Sequence, residues 1–369
     1  MRLFQKIRRC AFPLSHRVNR WIRPDVWSGG PPAGLFSEQA CIRDGTVEGK
    51  IVMGGPKLPK IPIDSELRAA HLHQADYGDW VTLWSRRDDA FLAGPSLAHI
   101  DSSRRVCLEA IYGPHSWSDP VWRRRNSPPV RELAGNYTSV VSRWNQGTNF
   151  YHWFLDGLTR LLHLRDFPED CQILIPRNPP SFAKRSIELL GLADRVVETA
   201  GEDLRIERYW FAGPTMLSGC PDPLGTDWLL TKLLPQIASP PRRLLYVERN
   251  SLTRNLTNAR EVRNWFIDRG WDVVEPGAMP LDEQIRLFGE ARAVAGPHGA
   301  AMTNLLWAAP GTRILEFMPS RRRNGCYAGI SLVRGHHHQS LVCKSDLQGT
   351  MGVPLDQLAT AVKLMKLDL

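Results

Sequence analysis

From Arg243 onward the chain alternates in a pattern that one broad architecture accommodates. RLLYVER reads as a strand, NAREVRNWFIDRG as a helix closed by Gly270, and WDVVEP as a second strand. PLDEQIRLFGEA follows as a helix with Pro280 near its start, then RAVAG as a strand, AAMTNLLWAAPG as a helix and TRILEFMP as a strand. Strands separated by helical stretches of roughly 10–15 residues build βαβ units, whose strands must run parallel. The expected fold class is therefore α/β, with a Rossmann-like domain over residues 240–345.

Upstream the same vocabulary recurs less regularly. NYTSVVSRW alternates with period two and reads as a strand. FYHWFLDGLTRLLHLR reads as a helix with an apolar stripe through Phe154, Leu158, Leu161 and Leu162. CQILIP, SFAKRSIELLGL and RYWFAGP read as strand, helix and strand, and DWLLTKLLPQIA as a helix ended by Pro240-Pro241. That proline pair with Arg242-Arg243 is the expected boundary of an N-terminal domain, 1–239. Its first part, residues 1–133, is rich in Pro and Gly, with WVTLWS and FLAGPSLAHI as short strands and SWSDPVWRRRNSPPVRE as an exposed basic loop. The segment 346–369, through VPLDQLATAVKLMKL, is expected as a helix packing back across the N-terminal domain.

Forty-seven Lys and Arg against 38 Asp and Glu leave a charge of +9, which suits an anionic ligand, a nucleic acid or an acidic membrane surface. No RNA-module signature, zinc-finger spacing or base-reading basic helix occurs, so nucleic acid is not an expected partner. The seven cysteines are scattered without a C-x-x-C pair, which excludes a zinc ribbon and suits free thiols in a reducing compartment. No run approaches the roughly 20 apolar residues of a membrane span. The opening MRLFQKIRRCAFPL is a candidate for peripheral contact with an anionic membrane, against the plainer reading of a frayed basic terminus. Among thirteen tryptophans, Trp21, Trp84, Trp122 and Trp144 lie near charges, as in proteins handling ring-shaped polar ligands, although core filling is the ordinary use of the residue.

The chemistry-bearing residues lie at strand ends and on one helix. RAVAG runs into Pro297-His298-Gly299-Ala300-Ala301, which opens a helix. Free N–H groups at a helix start favour phosphate oxygens; the glycines permit close backbone approach, and Ala300 and Ala301 keep the first turn open. A capping turn with an incidental His298 is the competing reading. Glu316, ending the next strand, can accept from ribose hydroxyls or simply be a solvated acid. Arg249 and Arg254 follow the first strand of the domain and can fork onto a diphosphate or line a solvated loop. His152 and Asp156, four apart, share a helix face as a general base does, and as a satisfied buried His does. His336-His337-His338 lies on a strand whose residues alternate in direction, and reads as incidental. D-x-D, G-x-G-x-x-G and the P-loop pattern are absent, so no metal-binding carboxylate pair or dinucleotide loop is expected.

Taken in order, these segments resemble a known family. Asn149–Asp156 (NFYHWFLD), Arg254–Asn258 (RNLTN) before a helix, Glu283-Gln284-Ile285 with Phe288, Gly296–Ala301 (GPHGAA) with Thr303-Asn304, and Leu315-Glu316 resemble glycosyltransferase family 61. The resemblance covers roughly Asn136 to Val342 and implies a GT-B fold, two Rossmann-like domains facing across a cleft. It implies an inverting, metal-independent transfer from a nucleotide-sugar, a UDP-sugar first, with no cofactor. Arg249 and Arg254 would hold the diphosphate, His298, Gly299 and Ala300 would sit at the phosphates, and Glu316 would reach the nucleoside. His152 and Asp156 would line the acceptor side, with Asp156 the first choice of base. Two positions depart from the pattern: Ala259, where an acid is usual, and His338, where an aromatic is usual. With no signal anchor read in the sequence, the bacterial type is expected, working in the cytoplasm or at the inner membrane face on a glycan or lipid-linked acceptor, as in capsular polysaccharide synthesis. The alternative is a nucleotide-sugar-binding subunit of a polysaccharide assembly complex that has lost catalysis.

Overall fold

The computed structural model describes residues 34–53, 81–103, 105–111, 129–141, 144, 149–214, 221–234, 241–249, 255–321 and 323–367. The basic opening segment, most of the 116–132 loop, Pro240 and Arg254 lie outside them. The chain divides into two compact units, one holding the described residues up to Pro214 and the other those from Pro221.

The second unit is a five-stranded sheet of β10 (Arg243–Val247), β11 (Asp272–Val274), β12 (Ala291–Pro297), β13 (Arg313–Pro319) and β14 (His337–Cys343). Every pairing is parallel and the spatial order is β11-β10-β12-β13-β14. In chain order that is 2-1-3-4-5, a doubly wound arrangement whose direction of winding reverses between β10 and β12.

Successive strand residues face opposite sides, so each side has its own cover. One carries Tyr246, Ala293, Ala295, Leu315, Phe317 and Cys343, packed with Val262 and Phe266 of the helix Ala259–Ile267 and with Leu358 and Val362 of the helix Leu355–Leu364. Phe266 stacks on Tyr246 at 4.4 Å between ring centroids and meets Trp271 at 4.9 Å. The final helix thus packs on its own unit's sheet, where Gln339 donates to the Ala361 carbonyl at 2.6 Å. This corrects the expectation of a helix returning to the N-terminal domain: its apolar residues complete the aromatic core of the C-terminal sheet. The other side carries Val294, Ile314, Glu316 and His338, all buried.

The domain boundary also moves. The helix Pro223–Leu233 belongs to the second unit and is capped by Asp222, whose side chain accepts from Leu224 N–H. It stops at Leu233 rather than running to Pro240, because Leu234 precedes Pro235 and takes an extended backbone.

The first unit is a mixed sheet of nine described strands. Its parallel part is β9 (Asp203–Pro214), β6 (Val130–Ser139), β7 (Gln172–Pro176) and β8 (Val196–Thr199), in that order. An antiparallel extension begins with β3 (Val81–Ala93) beside β9 and includes β2 (Gly49–Met53), β4 (Ala98–Ile100) and β5 (Arg105–Cys107), with β1 (Gly34–Phe36) parallel to β5 at its edge. WVTLWS and FLAGPSLAHI are therefore not two separate short strands. The charged run between them continues β3 along β9, with Asp89 and Arg205 paired across at 2.5 and 2.7 Å. A parallel α/β half is as expected; the antiparallel extension makes the unit mixed rather than a plain Rossmann-like fold.

Phe266→Ala removes a fully buried ring from the centre of the aromatic stack. It is expected to cost about 3–5 kcal/mol of stability by chemical denaturation.

Candidate active site

In open parallel sheets, ligands bind beyond the carboxyl ends of the strands where the winding reverses. Here that point lies between the ends of β10 and β12, so it falls at Arg249 on one strand and at His298 and Gly299 on the other. Arg249 donates from Nη1 to the His298 carbonyl at 3.3 Å. A Cβ on Gly299 would lie 1.5 Å from that same Nη1, so the guanidinium occupies the space a side chain would need. Gly299 is required for this approach, with an extended backbone (φ 176°). Gly296 is needed for packing, since a Cβ there would sit 2.9 Å from both Cβ and the carbonyl oxygen of Val247. After Gly299 the chain forms a 3-10 helix, Ala300–Trp307, with Ala300 exposed and its later residues buried.

His298 is 2% exposed, and its Nδ1 meets Glu316 Oε1 at 2.5 Å. The second carboxylate oxygen meets His338 Nε2 at 3.1 Å, and His338 Nδ1 meets Ser331 Oγ at 2.8 Å. Burial would raise the Glu316 pKa, but the imidazoles of His298 and His338 outweigh it and hold the carboxyl at about 2. Glu316 is therefore no solvated strand-end acid: it is fully buried with both oxygens engaged. A ribose hydroxyl would have to displace an imidazole to reach it.

His338, read from sequence as incidental, is one of its two partners. Its neighbours differ as strand alternation requires: His337 is exposed, while His336 is buried, bonds the Ala308 carbonyl at 3.2 Å and has its pKa pushed by burial to about 3. The usable signal was Glu316 itself, because an acid on an inward-facing strand position needs a partner on the adjacent strand.

A further polar set anchors the segment after Gly299. Asn304 Nδ2 donates to Gln284 Oε1 at 2.9 Å and to the Ala301 carbonyl at 3.1 Å, and Trp307 Nε1 donates to Asn304 Oδ1 at 3.1 Å. Gln284 in turn donates to the Met279 carbonyl at 2.9 Å. Thus two motif residues, Gln284 and Asn304, hold the 3-10 helix against the helix Leu281–Gly289 rather than reaching toward a ligand.

The first unit holds the other candidates. Asn149 accepts from the N–H groups of Tyr151 and His152 and starts the expected helix. The rod changes spacing along its length: an α-helical turn at Phe150–His152, a π-helical segment at Trp153–Gly157, then 3-10 geometry over Leu158–Asp166. Such π segments recur at functional sites. The stripe Phe154, Leu158, Leu161 and Leu162 is buried as expected. His152 Nδ1 meets Asp156 Oδ2 at 2.6 Å, with the histidine side chain 19% exposed and the aspartate 4%. Trp144 stacks on the His152 ring at 6.1 Å. Arg160 donates to the Asp156 carbonyl at 2.7 Å, tightening the turn that carries the acid.

Among the described residues, one group is close enough to share a metal ion: Glu38, His99 and Cys107, apart from the candidates above. Its carboxylate already accepts from Arg87 at 3.0 and 3.1 Å and from Ser85 at 2.9 Å, and burial raises the Cys107 thiol well above its ordinary value. A guanidinium already paired with the carboxylate competes with a cation there. No helix among the described residues is long and apolar enough to cross a membrane.

The model of the family described as Glycosyltransferase 61 matches residues 150–315, from the helix of His152 to one residue before Glu316. The beta-1,2-xylosyltransferase RCN11 of Oryza sativa subsp. japonica is 43% identical over 53 residues, 14% of this chain and 10% of that protein. The chain thus spans about a tenth of the length of this curated relative.

The low pKa of Glu316 sets a sign. A folded value of about 2 against an ordinary 4.5 stabilises the fold above pH 4.5, and this contribution disappears as pH falls toward 2. The stability difference between the parent chain and Glu316→Gln should be largest above pH 4.5 and shrink below it, as followed by urea denaturation across that range.

Proposed function

We propose that this chain, which over residues 150–315 belongs to glycosyltransferase family 61, transfers a sugar from a nucleotide-diphosphate donor to a hydroxyl of a glycan or lipid-linked acceptor. The observation that carries this reading is the meeting of Arg249, His298 and Gly299 where the winding of the parallel sheet reverses. A guanidinium, an imidazole and a glycine that lets the guanidinium approach the backbone there suit the oxygens of a diphosphate. UDP is taken as the nucleotide. Arg254 joins Arg249 in the proposal, though it lies outside the described residues.

The reaction is read as inverting and metal-independent, on a GT-B arrangement of the two units. The acceptor oxygen attacks the anomeric carbon as the bond to the diphosphate breaks. Arg249 and His298 take up the charge on the leaving diphosphate. The acceptor proton goes to the His152/Asp156 pair. Asp156 is buried with one oxygen on His152 Nδ1, so we assign His152 Nε2 as the proton acceptor and Asp156 as the group that orients the ring. This reverses the order of preference drawn from sequence. Synthesis of a cell-surface or capsular polysaccharide, in the cytoplasm or at the inner membrane face, belongs to the same proposal.

His152→Gln and Asp156→Asn are each expected to lower turnover by about 10²–10⁴-fold while UDP affinity stays at the parental value. An active His152→Gln beside an inactive Asp156→Asn would return the role of base to Asp156. Arg249→Ala should weaken UDP binding about tenfold in calorimetry. UDP binding without transfer, across a panel of sugars and acceptors, would support the non-catalytic alternative.

A further inference from the structure

With Glu316 ionised and both imidazoles neutral, the buried chain Ser331–His338–Glu316–His298 has one arrangement of protons that satisfies all its members. Glu316 is ionised and can only accept, so the imidazole nitrogens facing its two oxygens, His298 Nδ1 and His338 Nε2, must both carry hydrogen. His338 Nδ1 is then a lone pair on a neutral ring and accepts from the Ser331 hydroxyl at 2.8 Å. His298 has already given its Nδ1 hydrogen to Glu316. A neutral His298 therefore offers a lone pair at Nε2, which repels an anion rather than binding it. It can donate to a phosphate oxygen only as an imidazolium, and the carboxylate at 2.5 Å is the countercharge that makes this form accessible.

We infer that Glu316, His338 and Ser331 are positioning residues that prepare His298 to bind the diphosphate as an imidazolium, so that binding takes up a proton at His298 Nε2. This rests on the reading of the strand switch point as a diphosphate site. Glu316 supplies the charge; His338 occupies its second oxygen and stops it turning away; Ser331 fixes the ring of His338. Groups from each neighbouring element bear on the charge of His298, three of them in direct contact with it and His338 through the shared Glu316. They are Glu316 on β13, His338 on β14, the Arg249 guanidinium after β10, and the phenol ring of Tyr327 at 4.9 Å, on the helix Cys326–Arg334.

Calorimetry of UDP binding to the full chain at about pH 8, in two buffers of different ionisation enthalpy, counts the protons exchanged. The parent chain is expected to take up a substantial fraction of one proton, and His298→Gln none. His338→Phe should weaken UDP binding about threefold to tenfold in the parent chain but leave affinity unchanged in a His298→Gln background. His338→Gln, which keeps a donor near Glu316, should recover part of the loss. Ser331→Ala provides a milder variant, expected to weaken UDP in the same background-dependent way, should the Phe variant fail to fold. UDP binding without proton uptake, or an equal effect of His338→Phe in both backgrounds, overturns the positioning role and leaves the nucleotide site standing. Failure of the folded parent chain to bind UDP overturns the nucleotide reading and this inference with it.

Discussion

A carboxylate with no exposed surface lies on β13 of the C-terminal sheet, and the local structure is arranged so that it stays charged. Leaving Glu316 buried and unpaired would cost several kcal/mol, and removing one partner from such a group is far more damaging than never having built it. Two imidazoles meet this cost, from the end of β12 and from β14, and the helix Cys326–Arg334 contributes the serine behind the second. One side chain thus connects three strands and a helix at the edge where the sheet presents its ligand-binding ends. The same contact that stabilises the fold sets the orientation of His298.

Strand order places the remaining pieces. The β10–β12 neighbourhood exists because the chain runs from β10 outward to β11 and then crosses back to β12. That crossing brings Arg249 against Gly299, 50 positions later in the chain, and the absence of a side chain on the glycine lets the guanidinium settle there. The polar set of Gln284, Asn304 and Trp307 then holds the following 3-10 helix, keeping the turn in one position. In the first unit a local solution serves a similar end: a helical rod of changing pitch sets His152 on the buried Asp156.

What was legible in the sequence follows the range of the interaction. The alternation after Arg243 translated into a parallel sheet almost strand for strand, because periodicity records which side of each element is buried. The His152/Asp156 pair was legible for the same reason, as four residues along a helix bring two side chains together. The burial of Glu316 was not legible, since its place on a strand says nothing about the histidine on the neighbouring strand. His338 was set aside because its two histidine neighbours made it look like part of a tract. The charged interruption in β3 looked like a break because its compensating arginine, Arg205, lies 116 residues away.

The sequence by itself determined the class of fold, the ends of the strands that carry Arg249 and His298, the helix that carries His152 and Asp156, and the likeness of residues 150–315 to the family described as Glycosyltransferase 61. Those features are written in local spacing and in the order of short segments. Only the tertiary structure decided that both oxygens of Glu316 meet imidazoles, that His338 and Ser331 stand behind it, and that Gly299 is occupied by a guanidinium. Each of these depends on which strands become neighbours and in what register. Pairs separated by 18, 22 and 49 positions meet only after the whole sheet has formed.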